Sequence, residues 1–372
     1  MASPQAPLRD PLIDMMGGSE DRATLRRMMV AHLGERSVLY HRLSRSEADQ
    51  LRGYLLSRLA DIGVPEDALP FLREELELGD SACCAGGAAR AVASLDPMPD
   101  WAAEALLCAA RRFMNGDDTL VFSPDVSLRG AQTTTALTEI FAAMGRLGPR
   151  AGGTLAALDA MADMRPFGPC AAAALDLARD RIRLETPKCC GGKTDIPPDR
   201  SLTRLKDMAR SDNAARLGDI LLEDHQGHEA RLGDVFDADI NVVAFFYTRC
   251  MNPAKCSATI ETLAQLQNSL GPLADRCRVG AISYEPAYDT PRRLSIYGGN
   301  RGIGPDSPVR LTRPVNGIEP LIAQLDLGVG YGETTINRHR SEVFLLDRQA
   351  NVVAGILRRK FTVEEAISLI ER

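Results

Sequence analysis

The stretch from Asn241 to Ser257, NVVAFFYTRCMNPAKCS, constrains the fold of this chain more than any other. It opens with a run of β-branched and aromatic residues, which predicts a buried central strand. The run ends in a loop that carries Cys250 and Cys256, and a helical pattern follows at once, with Ser257 as its predicted N-cap. Two thiols therefore stand between a strand and a helix N-terminus, where backbone N–H groups and the helix dipole favour thiolate, and so redox chemistry or metal binding.

Composition sets limits on the class of protein. The 372 residues are enough for about two domains. A net charge of −6 without a long basic run argues against a nucleic-acid partner, which needs clustered Lys and Arg. No stretch approaches the ~20 apolar residues that span a bilayer, and the N-terminal residues do not read as a secretory signal. We therefore expect no membrane association and a cytoplasmic location, with the nine cysteines free, metal-bound or catalytic.

Residues 1–184 predict an all-helical domain. Its amphipathic segments are short, and glycine or proline breaks between them recur at about half the length of a helical-hairpin repeat. This spacing predicts an α-solenoid that resembles HEAT-type repeats, with an irregular helical bundle as the alternative. A stack of helix pairs presents a concave surface, so we expect this domain to cover a substrate or to dock a protein partner.

Residues 185–214 predict a linker, because Pro187, Gly191-Gly192 and Pro197-Pro198 exclude regular structure. The linker carries the adjacent cysteines Cys189 and Cys190. One interpretation is that these thiolates bind a metal or react with a disulfide of Cys250 and Cys256. The other is that they are incidental exposed thiols. The residues leave both interpretations open.

Residues 215–372 alternate between strand and helix patterns. The order predicts a mixed sheet with helices on both faces, which is a thioredoxin-like fold. Near the end of the chain, residues 342–346 and 352–356 predict a hairpin, and residues 361–370 predict a closing helix with Thr362 as N-cap. The domain organisation is therefore α followed by α/β.

Three segments of this second half resemble the Sco/SenC proteins. They are FFYTRCMNPAKC, ISYEPAYDTP and INRHRSEVFLLDRQANVV, in that order. The resemblance implies a thioredoxin-like fold that binds copper through two cysteines and one histidine. It assigns the sulfur ligands to Cys250 and Cys256 and the imidazole to His339, and it places Asp289 in the DTP motif. Five residues separate the cysteines here, whereas the family usually has three and then a proline.

The ligand set predicts the chemistry. Two thiolates and an imidazole suit Cu(I) and can hold Cu(II), although zinc competes on ligand type alone. The leading hypothesis is a cytoplasmic copper-dependent oxidoreductase that acts on a small molecule or a peptide. Cys250 and Cys256 would be its catalytic residues and metal ligands, with His339 as third ligand and Cys189 and Cys190 as candidate further ligands.

Two alternatives accompany this hypothesis. One is a copper chaperone whose helical domain docks the recipient protein, and the other is a thiol–disulfide oxidoreductase that needs no metal. Tyr247, Tyr284 and Tyr331 are candidates to line the site, whereas His225 and His228 are predicted as solvent-exposed turn residues.

Overall fold

The fold divides into two compact units in a computed structural model. The first unit comprises Met1–Ile196 together with Gly330–Arg338, and the second comprises Pro197–Val329 and His339–Arg372. The predicted linker, with Cys189 and Cys190, lies outside the described residues. The structure describes residues 21–116, 118–122, 133–164, 167–184 and 217–371.

The first unit is built from helices, which confirms the predicted helical character of this half. The unit also contains a short antiparallel pair formed by β1 (Thr119–Val121) and β2 (Thr133–Thr135). The HEAT-like regularity of the helices stays a prediction. The helices are α1 Arg22–Leu33, α2 Arg45–Ile62, α3 Leu69–Leu78, α4 Ala82–Ala93, α5 Ala102–Phe113, α6 Ala136–Leu147, α7 Leu155–Met164 and α8 Pro169–Arg183.

Helix α2 shows how local sequence sets these elements. Ser44 forms a capping box with Glu47, in which each side chain accepts a hydrogen bond from the other residue's backbone N–H. Small residues then let α4 approach α2 closely, since a Cβ on Gly53 would lie 2.4 Å from the Cys83 sulfur. Cys83 and Cys84 are buried here, as the Ala/Gly-rich sequence of α4 predicts.

The second unit contains a seven-stranded mixed sheet, which confirms the thioredoxin-like prediction. Its strands are β3 Leu221–Asp224, β4 Glu229–Arg231, β5 Ile240–Phe246, β6 Cys277–Ser283, β7 Arg310–Pro314, β10 Glu342–Asp347 and β11 Val352–Leu357. The sheet order is β11-β10-β5-β6-β7-β3-β4, and β5, β6 and β7 run parallel while the other neighbours are antiparallel.

Helices and a further strand pair complete the second half of the chain. The strand pair is formed by β8 (Val329–Tyr331) and β9 (Ile336–His339). None of the helices described here, in either half, is long and apolar enough to cross a membrane. The helices are α9 Leu232–Val235, α10 Ala258–Ser269, α11 Pro291–Gly299, α12 Glu319–Leu325 and α13 Val363–Ile370.

Strand β5 lies inside the sheet, between β10 and β6, and its residues from Asn241 to Phe246 are all buried. Its parallel neighbour β6 contains Gly280, where a Cβ would lie 2.5 Å from the Arg310 carbonyl oxygen and 2.8 Å from the Phe236 ring. Glycine is therefore required for the close approach of β6 to β7.

The turn between β3 and β4 corrects one prediction. His228 is exposed as expected, but His225 is buried, and its Nδ1 accepts a 3.4 Å hydrogen bond from the backbone N–H of Leu311. His225 stands at the start of the turn and packs inward, whereas His228 stands at its end and faces solvent.

We predict that Gly280→Ala destabilises the second unit by about 1–3 kcal/mol, because the added methyl group meets backbone and a packed ring. Thermal unfolding should show a lower midpoint for this variant. The matched control is Gly299→Ala, where a Cβ would meet nothing within 4 Å. Equal midpoints for Gly280→Ala and wild type would contradict the close packing described here.

Candidate metal centre

Cys250, Cys256 and His339 converge at one end of strand β5. Their ligand atoms all lie within 4.8 Å of one another, and both cysteines are free thiols. His339 Nε2 lies 3.3 Å from the Cys250 sulfur and 3.8 Å from the Cys256 sulfur. The three residues that the sequence analysis assigned as ligands are thus adjacent, although they are up to 89 positions apart in the chain.

The hydrogen bonding of His339 fixes which nitrogen faces the sulfurs. Its Nδ1 lies 3.1 Å from the carbonyl oxygen of Arg340, which can only accept a hydrogen bond. In the neutral ring, the proton therefore sits on Nδ1, and the lone pair of Nε2 points toward the two sulfurs. Such a bond from the remote ring nitrogen is the usual way in which proteins orient a metal-binding imidazole.

The two thiols differ in protonation. The Cys256 thiol donates a hydrogen bond to the Cys250 sulfur, and this bond holds the pKa of Cys250 well below its ordinary range. Burial, together with the same hydrogen bond, raises the pKa of Cys256. Cys250 is half-buried, whereas Cys256 is 2% exposed, so the thiolate is the more accessible sulfur.

The segment between the cysteines explains their unusual spacing. A turn of π-helix spans Pro253–Ser257 before α10 begins. Asn252 caps this turn, since its side chain accepts a 2.9 Å hydrogen bond from the backbone N–H of Ala254, and Pro253 follows at the first helical position. The extra residues are therefore coiled, and the wider turn places the Cys256 sulfur beside that of Cys250.

The predicted N-cap role of Ser257 is wrong. Ser257 is already helical, makes no side-chain capping bond, and donates its hydroxyl to Glu261 at 3.0 Å. The Asn252-Pro253 pair was the signal for the true start, because asparagine is a strong N-cap and proline suits the first turn.

Lys255 is a site residue that the sequence analysis missed. It is buried, and its ammonium group donates a 2.9 Å hydrogen bond to the carbonyl oxygen of His339. The bond joins the cysteine loop to the strand that carries the histidine. A lysine inside a loop gives no periodic or motif signal, so only the three-dimensional arrangement reveals this role.

Two tyrosines flank the imidazole of His339. The ring centroids of Tyr247 and Tyr284 lie 5.3 Å and 5.9 Å from that of His339. Both are buried, as expected of candidates to line the site, and the Tyr284 hydroxyl donates to the buried carboxylate of Glu342. Tyr331, the third candidate, belongs to the segment grouped with the helical unit and is 39% exposed.

Asp289 connects the ends of strands β5 and β6 through hydrogen bonds. Its carboxylate accepts hydrogen bonds from the hydroxyls of Thr248 and Ser283, and from the backbone N–H of Thr248 at 3.2 Å. Burial raises the pKa of Asp289, while these bonds oppose the shift. Thr248 follows β5 and Ser283 ends β6, so the aspartate of the DTP motif holds together the two strands from which the site begins.

The arrangement suits a soft metal ion. Within the part of the chain that the structure describes, this is the one group of three or more His, Cys, Asp or Glu ligand atoms close enough to share an ion. Two sulfurs and an imidazole match copper well and zinc acceptably. The fold and the site together define a thioredoxin-like domain with a Cys/Cys/His group of metal-ligand type.

Comparison with known proteins identifies this domain more closely. Residues 209–372 match the sequence model of the SCO1/SenC family. This match confirms the Sco/SenC resemblance of the three sequence segments. A search of curated proteins found no match.

Solved structures of Sco proteins are similar to part of the chain. Bradyrhizobium japonicum ScoI with copper bound is 22% identical, over 42% of this chain and 99% of that chain, with a TM-score of 0.36. A SCO1/SenC family lipoprotein from Bacillus anthracis is 18% identical, over 44% and 97%, with a TM-score of 0.37. Yeast Sco1 with copper bound is 16% identical, over 42% and 91%, with a TM-score of 0.31.

We predict that Cys250 is the first cysteine of the loop to react with iodoacetamide in metal-free protein. Because the pKa of Cys250 is lowered, its thiolate is already formed near neutrality, and the rate should be flat between about pH 6 and pH 8. Quantitative peptide mass spectrometry measures the rate.

The matched variant is Cys256→Ala, which removes the hydrogen bond to the Cys250 sulfur. We expect the rate at which Cys250 of this variant reacts with iodoacetamide to increase with pH. A wild-type rate that rises about tenfold per pH unit, as for a simple peptide thiol below its pKa, would contradict the thiolate assignment.

Proposed function

We propose that Cys250, Cys256 and His339 bind copper, and that the protein is a copper-dependent oxidoreductase acting on a small molecule or a peptide. The observation that carries this proposal is the convergence of three soft ligand atoms within 4.8 Å, with both cysteines free. The match to the SCO1/SenC family supports copper over zinc, because the resemblance to that family implies a copper site.

The placement of the two cysteines supports redox chemistry on an external substrate. Cys256 is buried and can hold the ion, while Cys250 is half-buried and open to approach. Met251, directly beside Cys250, is 82% exposed and gives an approaching substrate an apolar contact at the edge of the site. Copper bound by three protein ligands supplies a one-electron couple and leaves coordination open.

The protein residues around the ligands keep the site ordered and partly dry. Tyr247 and Tyr284 shield the imidazole of His339 from water. Lys255 holds the backbone of that histidine against the cysteine loop. An arrangement of this kind is preorganised, so metal binding requires little movement of its ligands.

The exposure of Cys250 also favours a second function. A half-buried thiolate at the edge of the site can be exchanged for a ligand of another protein, which is what a copper chaperone needs. In that case copper is cargo, and the helical unit is the candidate docking surface for the recipient.

The cytoplasmic location stays a prediction, and fractionation of cells tests it.

We predict that loss of any one ligand weakens Cu(I) binding by roughly a hundredfold or more, since loss of an outer-shell partner alone costs about 10–100-fold. Cys250→Ser, Cys256→Ser and His339→Ala should each show this in a competition titration with a chromophoric Cu(I) chelator. The controls are the exposed residues in Cys170→Ser and His228→Ala. If the control variants bound Cu(I) as weakly as the ligand variants, the assignment of these three residues as the metal site would be refuted.

Turnover separates the candidate functions. We expect copper-loaded protein to consume many equivalents of O₂ with glutathione as electron donor, which becomes its disulfide as O₂ becomes hydrogen peroxide. His339→Ala, loaded with the same copper, should lose this activity, and an oxygen electrode with catalase checks both. Rapid copper transfer to an acceptor without turnover would favour the chaperone. Activity that survives complete metal removal would favour thiol–disulfide exchange.

A further inference from the structure

The residues just before the ligand histidine belong to the helical unit. The segment Gly330–Arg338 groups with the helices, whereas His339 groups with the sheet. Strand β9 therefore begins in one compact unit and ends in the other, and it does so at the ligand itself.

Backbone contacts fasten this segment to the helical unit. The Asn337 side chain donates to the carbonyl oxygens of Tyr40 at 2.9 Å and Leu43 at 3.2 Å. A Cβ at Gly330 would lie 2.3 Å from the Glu35 carbonyl oxygen, so only glycine fits there. The segment is thus held by polar contacts and close packing along its length.

Arg338 attaches the segment through charged groups. Its buried guanidinium forms ion pairs with Asp49 and with Glu75, the latter at 2.8 Å. Glu75 is buried as well and is shared with Arg52 at 2.8 Å. Guanidinium and carboxylate groups out of water hold each other in a narrow range of positions, because a displaced partner would leave a buried charge without compensation.

The next residue carries the chemistry. Within the helical unit Arg338 pairs with Asp49 and Glu75, and within the second unit the next residue, His339, directs its ring toward the cysteine sulfurs. Adjacent Cα atoms are about 3.8 Å apart and joined by a planar peptide. Movement of the Arg338 backbone is therefore transmitted to His339.

We propose that Arg338 is a positioning residue through which the helical unit sets the placement of the ligand histidine. The helices thereby tune the metal site without supplying a ligand, and a change in the helical unit alters metal binding through this strand. The inference rests on the proposed metal-binding function of His339, and it goes beyond it by giving the helical unit a role in the site.

The test compares Arg338→Gln with two milder variants and a control. Asn337→Ala loosens the same segment at a second point, and Arg338→Lys keeps the charge but loses the planar fork. The matched control is Arg112→Gln, because Arg112 also serves the helical unit, where it donates to the carbonyl oxygens of Leu76 and Gly79.

The first readout needs no metal. Hydrogen exchange of metal-free protein should be several-fold faster over residues 336–339 in Arg338→Gln and Asn337→Ala than in wild type. Arg112→Gln should leave the exchange rate of this strand unchanged. The rate in Arg338→Lys should lie between those of wild type and Arg338→Gln. If Arg338→Gln fails to fold, Asn337→Ala and Arg338→Lys still decide the question.

The second readout is the metal. The Cu(II) electron paramagnetic resonance spectrum should change in Arg338→Gln, with Cu(I) affinity lower by about tenfold, as for other outer-shell partners of a ligand. Unchanged exchange and an unchanged spectrum in folded Arg338→Gln would overturn the proposal, as would an equal effect of Arg112→Gln. If wild type binds no copper, the proposed function fails, while hydrogen exchange still tests the positioning role.

Discussion

The proximity of the His339 imidazole to the two sulfurs is the interaction on which the chemistry of this protein depends. The cysteines come from one loop, and any strand–helix junction can hold two thiols. What turns the pair into a metal-type site is a nitrogen from a distant strand, 3.3 Å from one sulfur, with its lone pair directed by the bond to the Arg340 carbonyl. The surrounding residues serve that placement.

Several independent contacts fix this geometry from different sides. Lys255 holds the histidine backbone, Tyr247 and Tyr284 hold the ring, and Asp289 fixes the strand ends from which the cysteine loop departs. Arg338 holds the preceding residue within the helical unit. Redundant support of this kind is what a preorganised ligand set requires, since small displacements of a ligand weaken metal binding.

Sequence patterns were sufficient for the parts of the structure that follow local rules. The apolar run of β5, the hairpin of β10 and β11, and the Thr362 cap of the last helix all follow from periodicity and capping preference. Family motifs, rather than spacing, pointed to His339, since one histidine in a polar stretch carries no local signal.

What sequence reasoning missed depends on tertiary contacts. The π-turn after Asn252 and the burial of Lys255 arise because a longer loop must still bring its two sulfurs together. The attachment of Gly330–Arg338 to the helical unit depends on partners almost 300 positions away, such as Asp49, and no periodicity encodes such a pairing. The sequence pattern predicts His225 in solvent because turn residues are usually exposed, yet tertiary packing buries it.

X-ray absorption spectroscopy of the Cu(I)-loaded protein decides whether His339 binds the metal together with the two cysteines, because it counts the atoms bound to the metal. We expect two sulfur neighbours and one imidazole nitrogen, with the nitrogen lost in His339→Ala. A spectrum with sulfur neighbours alone, unchanged by that substitution, would contradict this expectation.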